Sequence, residues 1–313
     1  MANSTMEAAY RPPIRCLKAA QRASEPPTVC LDWWKCRHRL RCSEPMPQGA
    51  LPMSSRRCIF CLTPSTTKEH LFAQWLREAF PRTARDTRTI GLTRWGQDKR
   101  GKVYSMPTRA IRQGHSGTTT VPFVCAGCNS GWMSRMETRA RPILRPLIYG
   151  LPHSISTFDL KVLSGWIGKT VMVGEYLHPN HIAIPDSERL RMYAEFELPP
   201  TWSIWIADYQ GSKWRNLAMF HHMGRVDPDP TGSLHPDTHF TSIGMGRLFI
   251  QAAATSSSTT IVNENDAMRQ IWPLPKTNLS WPPARFIDDG EADFIADSFS
   301  RAMNLPHGGS IHM

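Results

Sequence analysis

Two pairs of cysteines carry the clearest chemical signal in this sequence. Cys58 and Cys61 are separated by two residues, and Cys125 and Cys128 repeat that spacing further along the chain. Each pair can present two thiolates from one tight turn, and four thiolates complete the tetrahedron that Zn²⁺ prefers. The four cysteines are therefore predicted to form one structural zinc site. Because such a site has no open coordination position, we expect it to hold the fold together and to carry out no chemistry itself.

Three polar residues next to the cysteine pairs are candidates for chemistry. Glu69 and His70 follow the first pair closely, and Asn129 directly follows the second pair. A neutral imidazole can accept a proton, while carboxylate and amide oxygens are ligands for Mg²⁺ or Mn²⁺. Simpler roles are also open. Glu69 and His70 could occupy the first turn of a helix, where the helix dipole favours Glu, and Asn129 could cap a helix.

The order of these residues resembles the zinc-containing branch of the HNH endonucleases. The resemblance rests on the first cysteine pair, the Glu69-His70 dipeptide and the second pair followed by Asn129, and it covers about residues 56–145. It implies a zinc treble clef that supports a ββα-metal active site. It also implies that His70 is the general base, that Glu69 is the acidic ligand of a catalytic Mg²⁺ or Mn²⁺, and that Asn129 is the second ligand.

The chain departs from the family pattern in several places. Thr120 and Val121 occupy the region of the family's middle Asn, with His115 as a more distant stand-in. The insert between the two cysteine pairs is long. Gly131, Trp132 and Met133 follow Asn129, in a region where relatives usually carry a basic residue. Because the middle Asn orients the loop that carries the catalytic His, its loss would leave a module that binds without cutting.

Positive charge is concentrated around the cysteine pairs. The chain has a formal net charge of +11, with 17 Lys and Arg against 5 Asp and Glu in residues 53–147 and 12 against 17 in residues 148–313. A basic block beside a zinc scaffold is typical of a protein that contacts a phosphate backbone. Together with the resemblance to the HNH endonucleases, which implies metal-dependent hydrolysis of phosphodiester bonds, this charge predicts a DNA-cutting enzyme, with RNA as an open alternative partner. The competing functions are a non-catalytic zinc-stabilised nucleic-acid-binding protein and an interaction protein whose basic surface meets acidic partners.

Composition indicates a cytoplasmic protein without a membrane partner. The nearest candidate for a membrane span is residues 160–173. This segment is shorter than a span and is interrupted by Lys161 and Lys169. The N-terminus has no continuous apolar segment of the kind that a secretory signal needs. A long chain with locally paired cysteines and no export signal is expected to keep its thiols reduced or metal-bound.

The elements that must position the candidate residues fall into three predicted segments. Residues 1–52 are proline-rich and lack a sustained hydrophobic period, so we expect a weakly structured extension, with Met53 as a candidate true start. Residues 53–147 are predicted to form the zinc-knuckle module. Residues 148–313 are predicted to form an α+β domain of unknown role, which makes the overall class α+β.

Local patterns assign secondary structure around the candidates. Apolar residues recur at helical spacing from His70 to Phe80, which predicts a helix with Glu69 and His70 at its N-terminal end. A hairpin is expected around the first cysteine pair, a strand over 119–124 and a helix over 130–147. In the last segment, a buried helix is predicted over 158–177 and an amphipathic helix over 291–303, and strands are predicted over 202–209, 217–222 and 240–254.

Overall fold

The described residues cover most of the chain after position 56. The computed structural model describes residues 57–64, 66–83, 87–97, 103–108, 111–179, 182–227, 235–257, 260–262, 265–303 and 310–312. All of them fall within the unit Met53–Met313. The predicted N-terminal extension, residues 1–52, and the candidate start Met53 lie outside the described residues.

Two antiparallel strands and a following helix adjoin the cysteine pairs. β1 (Thr67–His70) pairs with β5 (Thr120–Val124), and β5 leads directly into Cys125. The elements between these strands are a 3₁₀ helix (Gln74–Glu78), β2 (Thr87–Gln97), β3 (Val103–Thr108), β4 (Ile111–Gln113) and a 3₁₀ turn (Ser116–Thr118). The elements after β5 are α1 (Ala126–Cys128), a π-helical segment (Asn129–Met133) and α2 (Ser134–Tyr149). The predicted strand before the second pair and the helix after it are therefore confirmed.

The rest of the described chain contains further helices and strands. The helices are α3 (Thr157–Glu175), α4 (Asp186–Glu195), α5 (Asp289–Ala296) and α6 (Ser298–Ala302). The strands are β6 (His153–Ile155), β7 (Trp202–Tyr209), β8 (Ala218–Gly224), β9 (Thr238–Met245), β10 (Leu248–Thr255), β11 (Thr260–Val262), β12 (Arg269–Trp272), β13 (Leu279–Trp281), β14 (Phe286–Ile287) and β15 (Ser310–His312). The α+β class is confirmed, while the treble clef stays a prediction.

Nine of the described strands form one large sheet. Their order is β12-β7-β10-β9-β8-β2-β3, with β14 beside β7 and β4 beside β2. β2 runs parallel to β8, and β14 runs parallel to β7, while the other pairs are antiparallel. Three strands that precede residue 148, namely β2, β3 and β4, therefore lie in a sheet built mainly from later strands. The predicted divisions of the chain after residues 52 and 147 stay predictions.

The large sheet carries an apolar layer on each face. Along β7, Ile204 and Ile206 belong to the cluster that includes α3 and the cysteine pairs, whereas Trp205 and Ala207 belong to the cluster that includes α5 and Phe299. Successive residues of a strand point to opposite faces, so the alternation assigns one cluster to each face. The cysteine pairs are thus part of the larger core.

α3 is the buried helix that the sequence predicted over residues 158–177. The Ser156 hydroxyl accepts a hydrogen bond from the Asp159 N–H, and the Asp159 carboxylate accepts one from the Ser156 N–H, which forms a capping box. The buried side chains of α3 include two charged ones, Lys169 and Glu175. Burying a charge is costly unless it is paired, so each of these residues requires a partner.

The predicted helix from His70 to Phe80 is wrong in its first half. His70 ends β1, and the Leu71 N–H donates to the Thr119 carbonyl at 2.9 Å, which prolongs the pairing with β5. Only Gln74–Glu78 is helical, and it is a 3₁₀ helix. Pairing with a strand that lies far away in the sequence overrides the local helical spacing.

The single strand predicted over residues 240–254 is a hairpin. β9 and β10 pair along their whole length and turn at Gly246, where φ is +60°. A side chain at Gly246 would also clash with the Ile148 carbonyl oxygen, so glycine is required there. Gly246, followed by Arg247, was the turn signal available within this stretch of the sequence.

Within the described ranges, no helix combines the length and the apolarity that a membrane crossing requires. α3 contains the segment that the sequence offered as the nearest candidate for a membrane span, and Lys161 and Lys169 interrupt its apolar residues.

A buried charged cluster joins α3, α4 and β8. The Glu175 carboxylate accepts hydrogen bonds from the Arg189 guanidinium and from the backbone N–H groups of Ala183 (2.5 Å) and Ile184 (3.1 Å). The Nε2 atom of His221 lies 3.6 Å from a Glu175 oxygen, which is too long for a hydrogen bond but close enough for electrostatic attraction. Burial would raise the pKa of Glu175, but His221 and Arg189 lower it below the ordinary value.

His239 should make the folded state sensitive to acid. The His239 ring stacks on His221, is 2% exposed, and has no hydrogen-bond partner on either nitrogen. Burial and the charge of His221 lower the pKa of His239 to about 3. An unfolded imidazole titrates near pH 6.5, so below about that pH the unfolded chain binds a proton that the folded chain does not. This stabilisation is therefore complete above about pH 6.5 and is lost progressively towards pH 3.

Chemical denaturation at two pH values measures this effect. Between about pH 7.5 and about pH 5, we expect the free energy of unfolding to fall by about 2 kcal/mol more in the native protein than in His239→Phe, which has no group to protonate. His153→Phe, at a half-exposed position of β6, serves as the matched control and should keep the native pH dependence. Equal pH dependence in the native protein and His239→Phe would contradict this prediction.

Candidate functional site

The four cysteines converge on one point. Their Sγ atoms all lie within 4.8 Å of one another, and the Sγ atoms of Cys61 and Cys125 are 3.5 Å apart. Four sulfurs bound to one zinc ion at about 2.3 Å would lie about 3.8 Å apart, so these donors fit Zn²⁺. Within the described residues, no other set of three His, Cys, Asp or Glu side chains comes together this closely. The predicted four-cysteine cluster is therefore confirmed as a site that could hold a metal ion.

Local hydrogen bonds shape both cysteine pairs. At the first pair, the Leu62 N–H donates to the Cys58 carbonyl and the Cys58 N–H donates to the Thr63 carbonyl, which closes a tight turn. At the second pair, the Cys128 N–H points at the Cys125 Sγ from 3.4 Å. A backbone N–H that donates to sulfur favours the thiolate form, which is the form that binds metal.

The two turns are tied to each other and to later parts of the chain. The Ile59 N–H, inside the first turn, donates to the Phe123 carbonyl of β5 at 3.0 Å. The rings of Phe60 and Trp132 meet edge to face with centroids 5.0 Å apart, and Trp132 also contacts Phe196 at 5.8 Å. Aromatic packing therefore joins the residues around α4 to the cysteine cluster.

The pKa values of the thiols in the cluster are shifted in opposite directions. A hydrogen bond with Cys128 lowers the pKa of Cys58 to about 4, and the same contact raises the pKa of Cys128. Burial raises the pKa of Cys125. Because metal binding requires thiolates, an entering ion must displace the protons that remain.

His70 has both ring nitrogens occupied. The Gln74 amide lies 3.2 Å from Nδ1, and the Arg77 guanidinium lies 3.1 Å from Nε2. Burial lowers the pKa of His70, and the positive charge of Arg77 lowers it further. The imidazole is therefore neutral near pH 7, which is the protonation state that a general base needs.

Glu69 belongs to a buried charged cluster shared by β1, α2 and α3. Its side chain is 6% exposed, and burial raises its pKa to about 7, with Lys169 opposing the rise and Glu137 adding to it. The Lys169 ammonium, 1% exposed, donates to the Glu137 carboxylate at 2.8 Å. A buried carboxyl group that titrates near neutral pH is a feature of functional sites, although structural ion networks can also produce it.

Asn129 lies near the other end of β1. Its side-chain amide donates to the Thr67 hydroxyl at 3.4 Å, and its backbone N–H donates to the Cys125 carbonyl. A strand advances about 3.3 Å per residue, so Thr67 and His70 are about 10 Å apart. The structure brings Glu69 and His70 together on one strand but leaves Asn129 at the opposite end of it.

The region of the family's middle Asn lies across from His70. Thr120 is the direct cross-strand partner of His70 in the β1–β5 ladder. His115, the more distant stand-in, has a structural task, because its Nδ1 atom accepts a hydrogen bond from the Gly117 N–H at 3.0 Å and caps the 3₁₀ turn. Thr120 is therefore better placed than His115 to orient the end of β1 that carries His70.

Sequence reasoning missed three residues around His70 and Glu69. Arg77 and Lys169 are basic residues inside apolar helical patterns, and Glu137 lies among the arginines of α2. A buried lysine in an otherwise apolar helix was the available signal, because such a charge needs an acidic partner. The sequence alone could not identify which acidic residue that partner is.

The acidic side chains near the cysteine cluster are neutralised within the protein. Between residues 57 and 149, the described carboxylates are Glu69, which is buried, Glu78, which pairs with Arg141 at 2.8 Å, and Glu137, which pairs with Lys169. The exposed basic side chains of this part include Arg57, Lys68, Arg82 and Arg139. The exposed charge described here is therefore mainly positive.

Comparisons with known proteins give no further guide to function. No protein-family model, no curated protein and no solved structure matches this chain. Any functional conclusion must therefore come from the residues and their geometry.

Proposed function

We propose that this chain binds a structural zinc ion through its four cysteines and hydrolyses DNA phosphodiester bonds as a nuclease of the HNH type. One observation carries the proposal: β1, which ends in His70, pairs with β5, which leads directly into the second cysteine pair. A metal ion held by both pairs would fix this ladder and the imidazole at its end. The order of two antiparallel strands followed by a helix also supports the resemblance to that family.

His70 is the proposed general base. Its neutral imidazole takes a proton from water, the water oxygen forms a bond to phosphorus, and the bond from phosphorus to the leaving oxygen breaks. A bound Mg²⁺ or Mn²⁺ would stabilise the negative charge that develops on the phosphate. Glu69 is the proposed ligand for that ion, with Asn129 as the second ligand implied by the resemblance. The Asn129 amide donates to Thr67, whereas Glu69 is buried with Lys169 and Glu137 as charged neighbours, so the two proposed ligands face different partners and no step is assigned to the ion.

DNA is the proposed partner because of the charge around the cluster. The acidic groups of this part are buried or paired, and exposed arginines and lysines remain on its surface. A phosphate backbone gains affinity from such side chains through the release of condensed counterions. Binding by this surface should therefore weaken steeply as the salt concentration rises.

A zinc-stabilised nucleic-acid-binding protein without cutting activity is the second candidate. Two observations favour it. Arg77 occupies the Nε2 atom of His70, and Thr120 stands across from His70 in the region where the family has its orienting Asn. Both features would lower catalytic activity and leave the basic surface intact.

A plasmid assay separates the two candidates. Purified protein is incubated with supercoiled plasmid and Mg²⁺ or Mn²⁺, and nicked product is followed over time. For a nuclease, we expect His70→Ala to reduce nicking by a factor of about 100 or more, since general-base catalysis typically contributes about 10²–10⁴ in rate. The matched control His153→Ala, on β6, should nick at the native rate.

A binding measurement completes the assay. Affinity for a DNA duplex is measured without divalent metal at several salt concentrations, for the native protein and His70→Ala. Steeply salt-dependent binding without any nicking would reject the nuclease and support the binding protein. Absence of binding even at low salt would reject both candidates and leave the interaction protein.

A further inference from the structure

The contact between Arg77 and His70 fixes the tautomer of the imidazole. The Nη2 atom of Arg77 lies 3.1 Å from the Nε2 atom of His70. A guanidinium can only donate hydrogen bonds, so Nε2 must accept, and the single proton of the neutral ring lies on Nδ1. The Gln74 amide lies 3.2 Å from Nδ1, and its oxygen can accept that proton once the amide is oriented accordingly. The free lone pair of His70 is therefore the one that Arg77 occupies.

This arrangement blocks the base in the free protein. A general base must reach the proton of the attacking water with an unshared electron pair. In His70 that pair is on Nε2, where the Arg77 guanidinium already donates. The imidazole can act on water only after Arg77 has moved to another acceptor.

The unused donors of Arg77 indicate what that acceptor would be. Its Nε atom is buried and has no hydrogen-bond partner. Nε and Nη2 form one edge of the guanidinium, and two parallel N–H groups of this kind match two oxygens of a phosphate. Because Nε is buried, a phosphate could reach this edge only after the side chain rotates outward, and that rotation would both expose the unpartnered Nε–H to the phosphate and withdraw Nη2 from His70.

The 3₁₀ helix holds this pair of residues in place. Gln74 and Arg77 are three positions apart, so they lie on the same side of a helix with three residues per turn. Leu76, between them, is 1% exposed and anchors the helix in the core. The guanidinium can therefore change partner by side-chain rotation while the backbone stays fixed.

We infer that Arg77 is a phosphate-binding residue that keeps His70 inactive until a phosphodiester arrives. This inference rests on the proposed function and adds the group that recognises the substrate. Two non-bridging oxygens of the phosphodiester accept from Nε and Nη2 of Arg77, and the freed Nε2 of His70 takes a proton from water. The water oxygen bonds to phosphorus, the bond to the leaving oxygen breaks, and that oxygen takes a proton from solvent.

Nuclear magnetic resonance tests the exchange of partners without requiring catalysis. Long-range ¹H–¹⁵N spectra of histidine-labelled protein report the tautomer, and the His70 signal is identified by its loss in His70→Ala. We expect a proton on Nδ1 in the free protein, and a shift of the Nε2 resonance when inorganic phosphate is added. In Arg77→Met the phosphate-dependent shift should be lost. A proton on Nε2 in the native protein, or an unchanged phosphate shift in Arg77→Met, would overturn the inference.

Kinetics with a small phosphodiester test the same exchange during turnover. For bis(4-nitrophenyl) phosphate, we expect Arg77→Met to raise KM by about 10- to 100-fold, the effect of losing hydrogen bonds to a charged group. Arg77→Lys keeps the charge but loses the two-pronged geometry, so it should be impaired to an intermediate degree and serves if Arg77→Met does not fold. Arg215→Met, an exposed arginine in the turn before β8, is the matched control and should behave as native protein.

The two experiments separate failure of this inference from failure of the proposed function. If Arg77→Met and Arg77→Lys hydrolyse the phosphodiester as the native protein does, the role of Arg77 is overturned and the proposed nuclease activity stands. A phosphate-dependent shift that requires Arg77, in a protein that hydrolyses nothing, would support the phosphate site and reject the nuclease.

Discussion

If the four cysteines hold a zinc ion as proposed, Cys125→Ser is expected to release it and to lower the thermal stability of the protein drastically. The four sulfurs lie within 4.8 Å of one another and belong to the main core, so they cannot separate without disturbing both cysteine pairs. Structural zinc sites contribute about 10–16 kcal/mol of apparent binding energy in small peptides, which is comparable to the whole stability of a typical domain. Elemental analysis should find about one zinc per native chain and none in Cys125→Ser, with a much lower Tm.

A second cysteine provides the control for this experiment. The four clustered cysteines already complete a tetrahedral set of zinc ligands, so Cys30→Ser should keep the zinc. Zinc retained at the native level in Cys125→Ser would show that the four cysteines do not form a shared site. A loss of zinc without a loss of stability would show that the metal does not support the fold.

Arg189→Met should destabilise the protein by about 3–5 kcal/mol. Arg189 and Glu175 are fully buried and paired, and removal of the arginine leaves an uncompensated carboxylate in the interior. The two backbone N–H groups that also donate to Glu175 cannot replace the lost positive charge. Denaturant unfolding of the native protein and the variant measures the difference.

An exposed ion pair on the same helix supplies the comparison. Arg191 and Glu195 lie on α4 at 2.9 Å from each other and are 40% and 50% exposed. Arg191→Met removes the same type of charge from the same helix but should cost less than about 1 kcal/mol, because water solvates the remaining carboxylate. Equal destabilisation by the two substitutions would contradict the role assigned to the buried pair.

The cysteine cluster could be predicted because its signal is local in each pair. Two residues between cysteines fix the turn, and the structure places Cys58, Cys61, Cys125 and Cys128 together as that spacing predicted. The helix after the second pair and the buried α3 were also predictable from the spacing and content of their apolar residues. In these cases, the residues that determine the element lie within the element.

The parts that could not be predicted depend on residues far apart in the chain. His70 forms a strand because Thr120 lies across from it, and the local helical spacing gives no indication of that partner. The Lys169–Glu137 pair joins two helices, and the Arg77 contact depends on a 3₁₀ turn in place of the predicted helix. Long-range pairing therefore decided the surroundings of His70, while short-range spacing decided the metal site.

The most direct test of the account is the nicking rate of His70→Ala relative to the native protein, measured at equal zinc content and equal Tm. If the metal-bound cysteine pairs hold a catalytic imidazole at the end of β1, the variant should bind DNA with native affinity. Its nicking rate should be lower than the native rate by a factor of about 100 or more. Native-rate nicking by a correctly folded, zinc-loaded His70→Ala protein would contradict the proposed mechanism.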